Sequence, residues 1–305
     1  MEKIKLGNSN LQSSRLVYGC MRISGDNSLE NRKKGKAAIY KAIELGFTNF
    51  DHADIYGGGN SETLFGEILE ENKELRDKII ITGKCGIRLS NEPEKGNPGR
   101  YDFSDEHITS SVEGSLKRLK TDHLDMLLLH RPDYLFNADK VAKTLQKLKD
   151  KGLVNYFGVS NFKPSQFKLL QSRLDFDLLV NQIEINIHNI SSLEDGTIDQ
   201  CQELEISPQA WCPLGGVAYP AWGNTFTKET EKRIENELAR QSEKYNSTQS
   251  AIILAWLLRH PSQILPIIGS TSIEHIEESV KSFDISYTRE DWYQLLEARN
   301  GIPVP

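Results

Sequence analysis

Eight strand-like runs, each followed by a helix-like segment, succeed one another from about residue 16 onward, and this alternation constrains the fold of the 305-residue chain more than any other feature. The runs are Leu16–Tyr18, Phe47–Phe50, Ile79–Gly83, Leu124–Leu129, Val154–Val159, Leu178–Asn181, Ile206–Ala210 and Ile264–Ile268. Parallel strands need a crossover between them, and a helix is the usual crossover. Each strand-and-helix unit of roughly 35 residues is far too short to bury a core by itself, and eight such units suit a closed (β/α)8 barrel. A doubly wound open sheet is the alternative. It usually carries a Gly-x-Gly-x-x-Gly turn after its first strand, whereas the cluster Gly57-Gly58-Gly59 has the wrong spacing and follows the second run.

Local signals support the units. Ala38, Ala42 and Leu45 share a helical face that stops at Gly46, and Ser61 reads as the N-cap of the next helix. Ile108, Val112, Leu116 and Leu119 recur at helical spacing. A further helix runs to about Asp150, just before Gly152, and Pro164 suits a first helical position. Helices are also predicted around Glu229–Lys244 and Thr248–His260. Outside the repeat, residues 3–15 read as a hairpin that plugs the N-terminal mouth of the barrel, and residues 288–299 as an extra C-terminal helix. With no linker or low-complexity tract, residues 1–305 read as one barrel domain.

Composition narrows the class. With 38% apolar and 26% charged residues the chain resembles an ordinary soluble globular protein. The net charge of −6 is spread along the sequence without a basic stripe, which argues against a nucleic-acid partner. The start, Met1-Glu2-Lys3-Ile4-Lys5-Leu6, lacks a signal-peptide core, and no apolar run is long enough to cross a bilayer, so no membrane partner is expected. Cys20, Cys85, Cys201 and Cys212 show neither Cys-x-x-Cys nor zinc-like spacing. Reduced thiols and a cytoplasmic location are the expectation.

Catalysis in such a barrel takes place at the C-terminal ends of the strands. Seven of those ends offer a chemically useful group: Asp51, Lys84, His130, Ser160-Asn161, Gln182, Trp211 and Ser270. A buried lysine directly after an Ile-Ile-Ile run needs a counter-ion, because desolvating a charge costs several kcal/mol, and Asp51 is its natural partner. Such a pair beside Tyr56, five residues after Asp51, favours the phenolate and is expected to lower a pKa normally near about 10. Tyr56 then serves as a proton donor to a carbonyl oxygen that His130 orients. A metal site is the competing chemistry, with His52, Asp54, His130 and His188 as ligands and Lys84 as a carboxylated bridge. Successive strand side chains point oppositely, so Asp51 and His52 do not readily face one ion. No His-x-His follows the first strand and no Asp ends the eighth. No metal is expected.

Taken in order, Asp51-x4-Tyr56 with Gly57-Gly58, Lys84, His130-Arg131-Pro132, Gly158-Val159-Ser160-Asn161-Phe162, Asn181-Gln182 and Pro213-Leu214-Gly215 resemble the aldo-keto reductase family over nearly the whole chain. Asp51-His52-Ala53-Asp54-Ile55-Tyr56, His130-Arg131-Pro132-Asp133, Gln171-Ser172-Arg173-Leu174 and Pro266-Ile267-Ile268-Gly269-Ser270 resemble its bacterial YdhF-like branch. The resemblance implies reduction of an aldehyde or ketone by NADP(H), with NAD(H) not excluded, and a small carbonyl compound as substrate. Asp51, Tyr56, Lys84 and His130 would form the catalytic tetrad, with Tyr56 as the acid. Ser160, Asn161 and Gln182 would hold the nicotinamide carboxamide, and Trp211 would stack on its ring where the family usually has tyrosine. Gly19, Cys20, Met21, Cys212, Pro213, Leu214, Gly215, Ile268, Gly269, Ser270, Thr271, His275 and Glu278 complete the expected cofactor contacts.

The phosphate corner departs from the family. Thr271-Ser272-Ile273-Glu274 reads as a capping box whose helix N-terminus suits an anion. The family has an arginine where this chain has His275, and often a lysine where it has Gly269. An imidazole is only part-time positive near neutral pH, so preference for the 2′-phosphorylated cofactor is expected to be moderate. Substrate choice is expected in the loops Cys85–Phe103 and Cys212–Thr227, with Tyr101, Tyr219 and Trp222 as candidates. Two rival functions remain open at the level of sequence: a dinucleotide-binding redox sensor with little turnover, and the metal-dependent hydrolase.

Overall fold

A computed structural model describes residues 1–215 and 226–305. Its strands are β1 (Lys3–Lys5), β2 (Gln12–Ser14), β3 (Val17–Gly19), β4 (Asn49–Asp51), β5 (Ile80–Cys85), β6 (Ile87–Arg88), β7 (Arg100–Tyr101), β8 (Leu124–Leu129), β9 (Val154–Ser160), β10 (Leu178–Glu184), β11 (Ser207–Trp211) and β12 (Leu265–Ile268). Eight of them, β3, β4, β5, β8, β9, β10, β11 and β12, pair in parallel, and β12 returns to β3 to close the barrel. The eight expected units are therefore the barrel staves.

The helices are α1 (Leu29–Glu44), α2 (Asn60–Glu71), α3 (Asp105–Leu119), α4 (Ala138–Asp150), α5 (Pro164–Gln171), α6 (Ser191–Glu194), α7 (Thr197–Glu203), α8 (Lys228–Tyr245), α9 (Gln249–Leu258), α10 (Ile273–Val280) and α11 (Arg289–Asn300). Ile108, Val112, Leu116 and Leu119 are all buried on α3, as their spacing requires. Two caps differ from expectation. Helix α2 is capped by Gly59, the last residue of the glycine cluster, in the left-handed region at φ 87, so it begins before Ser61. Helix α10 is capped by Ser272, whose side chain accepts from the His275 N–H. Thr271 is therefore outside the helix, and Glu274 accepts from the Ser272 hydroxyl at 2.6 Å instead of closing a capping box.

Strand periodicity sorts the barrel into an inside and an outside. Met126 and Leu128 of β8 pack with Val17, Ile80, Val180 and Leu265 inside the barrel, while Leu127 and Leu129 join Leu145 and Leu148 of α4 in the layer outside it. The β1–β2 hairpin adds Ile4 and Leu6 to the inner cluster. Its turn lies so close to β10 that a Cβ at Gly7, at φ 53, would come within 2.9 Å of the Leu179 backbone. The hairpin is the expected plug. Helix α11 is locked by the buried Asp291, which accepts from Arg240, Lys244 and the Tyr245 hydroxyl of α8. Stacking of Trp292 on Trp256 of α9, with centroids 4.9 Å apart, completes that contact. Among the described residues no helix is long and apolar enough to cross a membrane.

Candidate active site

Inward positions near the open mouth turn from apolar to polar. On β4 they are Asn49 and Asp51, and on β5 Thr82 and Lys84. The Thr82 hydroxyl donates to Asn49 at 3.0 Å, and one layer higher Lys84 Nζ stands 2.7 Å from Asp51 Oδ2. Lys84 also donates to the His52 carbonyl at 2.6 Å. Lys84 as a whole is only 1% exposed, so its ammonium lies beneath the cleft floor and reaches the cleft only through its neighbours. Burial pushes that ammonium down, but Asp51 and Tyr56 outweigh burial and hold it above its ordinary value. Charged at neutral pH, it is a fixed positive centre.

Tyr56 follows β4 on a single 3-10 turn, Tyr56–Gly59, in which Gly57 and Gly58 take φ 58 and 62. The turn brings its ring over the ion pair, with Lys84 Nζ 4.9 Å from the ring centroid. The phenol does not have the lowered pKa expected from sequence. Burial pushes it up to about 12, although Lys84 pulls the other way. Desolvating an anion costs more here than one cation, itself partly neutralised by Asp51, returns. The His130 ring meets Tyr56 edge-on at a centroid distance of 6.0 Å. Burial, then the charges of Lys84 and Arg131, push its imidazole well below the ordinary value, so it is neutral. Its Nδ1 is buried without a partner, leaving Nε2 as the ring nitrogen at the cleft.

A hydrogen-bond network ties the remaining strand ends together. Gln182 donates from Nε2 to Asp51 at 2.9 Å and to Gln209 at 3.0 Å. Ser160 donates to the Gln182 carbonyl at 2.9 Å. Asn161 donates to Ser160 Oγ at 2.8 Å and to the His130 carbonyl at 3.3 Å, and accepts from Trp211 Nε1 at 2.9 Å. Asn161 reaches these partners from φ 60, a region that asparagine tolerates better than most residues. Arg131 places its guanidinium carbon 5.3 Å from the centre of the Trp211 indole.

These groups line one cleft of about 1260 Å³ that extends from Tyr56, His130 and Tyr101 to Ser270, Thr271, His275 and Glu278. That exceeds the roughly 300–1,000 Å³ of pockets for drug-sized ligands and leaves room for a dinucleotide together with a substrate. Gly19, Met21, Cys212, Pro213, Leu214, Gly215, Ile268 and Gly269 line it as well. Cys20 does not. Its side chain packs into the core, because it follows Gly19 with the opposite strand parity. At the far corner Ser270 Oγ lies 3.4 Å from His275 Nδ1, and Ser250 donates to Glu278 at 3.4 Å. Tyr101 sits on β7, paired with β6, so the expected loop Cys85–Phe103 is partly a two-stranded ribbon. Tyr219 and Trp222 lie outside the described residues.

Several cleft residues escaped the reading of the sequence. Arg22 lies against Gly269, where an added Cβ would come 3.2 Å from its Nη1; the cation at this corner comes from the β3 end. Its position directly after Gly19-Cys20-Met21 was the available signal. Gln209, fully buried on β11, completes the amide pair with Gln182, and Glu184 and Arg131 flank the same end. The residues of the metal reading do not converge. The ring of His52 packs against Phe65 at 4.6 Å. Asp54 turns towards Ser111, and burial pushes its carboxyl up to about 6. His188 bonds Glu231 at 3.1 Å. Among the described residues no three His, Cys, Asp or Glu side chains are grouped to hold a metal.

A sequence profile described as the aldo/keto reductase family matches residues 15–300. Oxidoreductase YdhF of Escherichia coli is 41% identical over 306 residues, covering 100% of both chains. The uncharacterized oxidoreductase YcsN of Bacillus subtilis is 39% identical over 309 residues, again covering 100% of both. Among solved structures, the thermostable aldo-keto reductase Tm1743 in complex with epalrestat superposes with a TM-score of 0.82 over 98% of this chain and 100% of that one, at 24% identity. That last similarity speaks for the barrel alone.

Proposed function

The chain belongs to the aldo/keto reductase family and is an NAD(P)H-dependent oxidoreductase acting on carbonyl compounds, and from this we propose that it reduces an aldehyde or ketone to the alcohol with Tyr56 as the proton donor. The observation that carries the proposal is the Tyr56 ring 4.9 Å from the ammonium of the buried Lys84–Asp51 pair, with the His130 ring 6.0 Å away and lining the same cleft. The bound nicotinamide would supply the hydride. Everything else falls to the protein.

A phenol held up to about 12 keeps its proton at neutral pH until the carbonyl oxygen gains negative charge. At that point the proton moves from Tyr56 Oη to the oxygen. The nascent phenolate is stabilised by a Lys84 ammonium already in place, which costs no reorganisation. Asp51 keeps that ammonium charged and still. His130, neutral, donates from Nε2 to the carbonyl oxygen and orients it. Only Tyr56 and His130 touch the reacting group in this scheme; Lys84 and Asp51 act through Tyr56.

Ser160, Asn161 and Gln182 surround the place for the carboxamide, and Trp211, bonded to Asn161, stands beside it. Ser270, Thr271 and the first N–H groups of α10 suit phosphate oxygens. Arg22 and His275 at that corner favour NADP(H) moderately over NAD(H). The rival binding-only barrel has no use for a desolvated lysine under a tyrosine, an arrangement costly to keep. The free cysteines, three of them buried, suit a cytoplasmic setting.

The test is NADPH consumption with benzaldehyde and butanal, for wild type and Tyr56→Phe, beside a fluorescence titration of NADPH. Turnover should fall about 10²-fold or more in the variant with cofactor affinity kept. A variant within a few-fold of wild type removes Tyr56 as the donor.

A further inference from the structure

One cation of the cleft has no place in the scheme above. Arg131 follows His130 directly, is half-buried, and lines the cleft at its catalytic end. It has no ion pair among the described residues, and its recorded contact is with the Trp211 ring at 5.3 Å. Cation–π attraction keeps the guanidinium beside the indole, and its N–H fork suits a planar anion such as a carboxylate. Its charge helps push the His130 imidazole down, so it stands within electrostatic range of the carbonyl site.

The charges around it do not cancel it. Asp51 is consumed by Lys84 at 2.7 Å, and Glu278 lies at the opposite corner, bonded to Ser250. Glu184 is the acid at the same end, and it forms no ion pair with Arg131. Between Tyr56 and the ribbon the wall is apolar, made by Ile55, Ile87 and Tyr101. The cleft beyond the reacting groups thus presents an apolar wall with a guanidinium beside it.

We propose that Arg131 is the specificity-determining residue for substrate, selecting carbonyl compounds whose apolar body carries a carboxylate remote from the reacting carbon. The inference rests on the carbonyl-reduction reading and names the substrate class of that same site. The carboxylate accepts two parallel N–H bonds from the guanidinium, the apolar body lies along Ile55, Ile87 and Tyr101, and the carbonyl oxygen meets Tyr56 and His130. A neutral carbonyl compound fits the wall but leaves the guanidinium without its acceptor.

Two matched pairs test this: 4-carboxybenzaldehyde against benzaldehyde, and succinic semialdehyde against butanal. Each is assayed with NADPH for wild type, Arg131→Met and Arg131→Lys, with NADPH affinity and thermal melting measured for each protein. In wild type the carboxylated member of at least one pair should show kcat/KM about 10- to 100-fold above its neutral partner, chiefly through a lower KM. Arg131→Met should bring that ratio to about one by raising the KM of the carboxylated member, and Arg131→Lys should restore part of it. A wild-type ratio near one in both pairs, or a ratio untouched by Arg131→Met, overturns the inference. So does a tenfold loss of NADPH affinity in Arg131→Met, which would assign the cation to the dinucleotide. Failure of wild type to reduce any of the four aldehydes overturns the carbonyl-reduction reading itself, and the inference with it.

Discussion

Beneath Tyr56 the charges of Lys84 and Asp51 are buried and paired with each other, their side chains at 0% and 4% exposure. At the Ser270–Glu278 end they are exposed or half-exposed, set on a helix start that keeps its N–H groups whatever side chains surround it. The first arrangement is strict, because a buried charge that loses its partner remains in low dielectric with nothing to offset its desolvation. The second is forgiving, since water replaces any lost contact. One end of the cleft therefore has little freedom to vary its residues, and the other can trade a lysine or arginine for Gly269 and His275 and draw its cation from Arg22 instead.

The sharpest way to break this comparison is Lys84→Met. It leaves Asp51 buried and unpaired, and we expect about 3–5 kcal/mol of lost stability in chemical denaturation together with loss of turnover. Lys84→Arg should rescue little, because the planar fork does not fit the space of an ammonium that bonds both Asp51 and the His52 carbonyl. A stable, active Lys84→Met protein would show that the pair is ordinary packing.

Asn161 tests the hydrogen-bond network beside the Tyr56 end. Asn161→Gly keeps the positive φ at no strain but removes the bonds to Ser160, the His130 carbonyl and Trp211. The expected cost is about 1–3 kcal/mol of stability and weaker NADPH binding by about tenfold. Unchanged cofactor affinity would remove Asn161 from the cofactor site.

The pH profile separates burial from charge at Tyr56. An acid must be protonated to act, so its activity is lost as pH rises through the phenol's pKa. With that value at about 12 and His130 held neutral by burial, the rate of reduction should stay level from about pH 6 to about pH 9. A decline centred near neutral pH would show that Lys84 outweighs burial once ligands fill the cleft.

The smallest effect belongs to the forgiving end. His275→Arg should raise the NADPH-to-NADH affinity ratio about fivefold by adding a permanent bidentate donor, with stability unchanged within about 0.5 kcal/mol. No change in the ratio would place His275 away from the 2′-phosphate.

Much of this was legible in the sequence for a local reason. Strand and helix periods repeat within a few residues, so the eight units, the hairpin, α3 and the C-terminal helix follow from the order of apolar residues. Strand-end groups such as Asp51, His130 and Gln182 were legible because the barrel rule converts position in a strand into position at a mouth. Caps were less legible. Gly59 and Ser272 replaced Ser61 and Thr271 because the backbone at a helix start answers to the turn that precedes it as well as to the side chain that could cap it.

What the sequence by itself determined is the architecture and the chemical kinds gathered at its mouth. The tertiary structure alone decided how those kinds act on one another. Closing the barrel put Lys84 under the floor, set Tyr56 where burial outweighs its cation, turned Cys20 into the core, and carried Arg22 and Arg131 to the lining of one cleft. Each outcome depends on register and on which strand neighbours which. Desolvation and charge act across space, and space between distant residues exists only once the chain has closed.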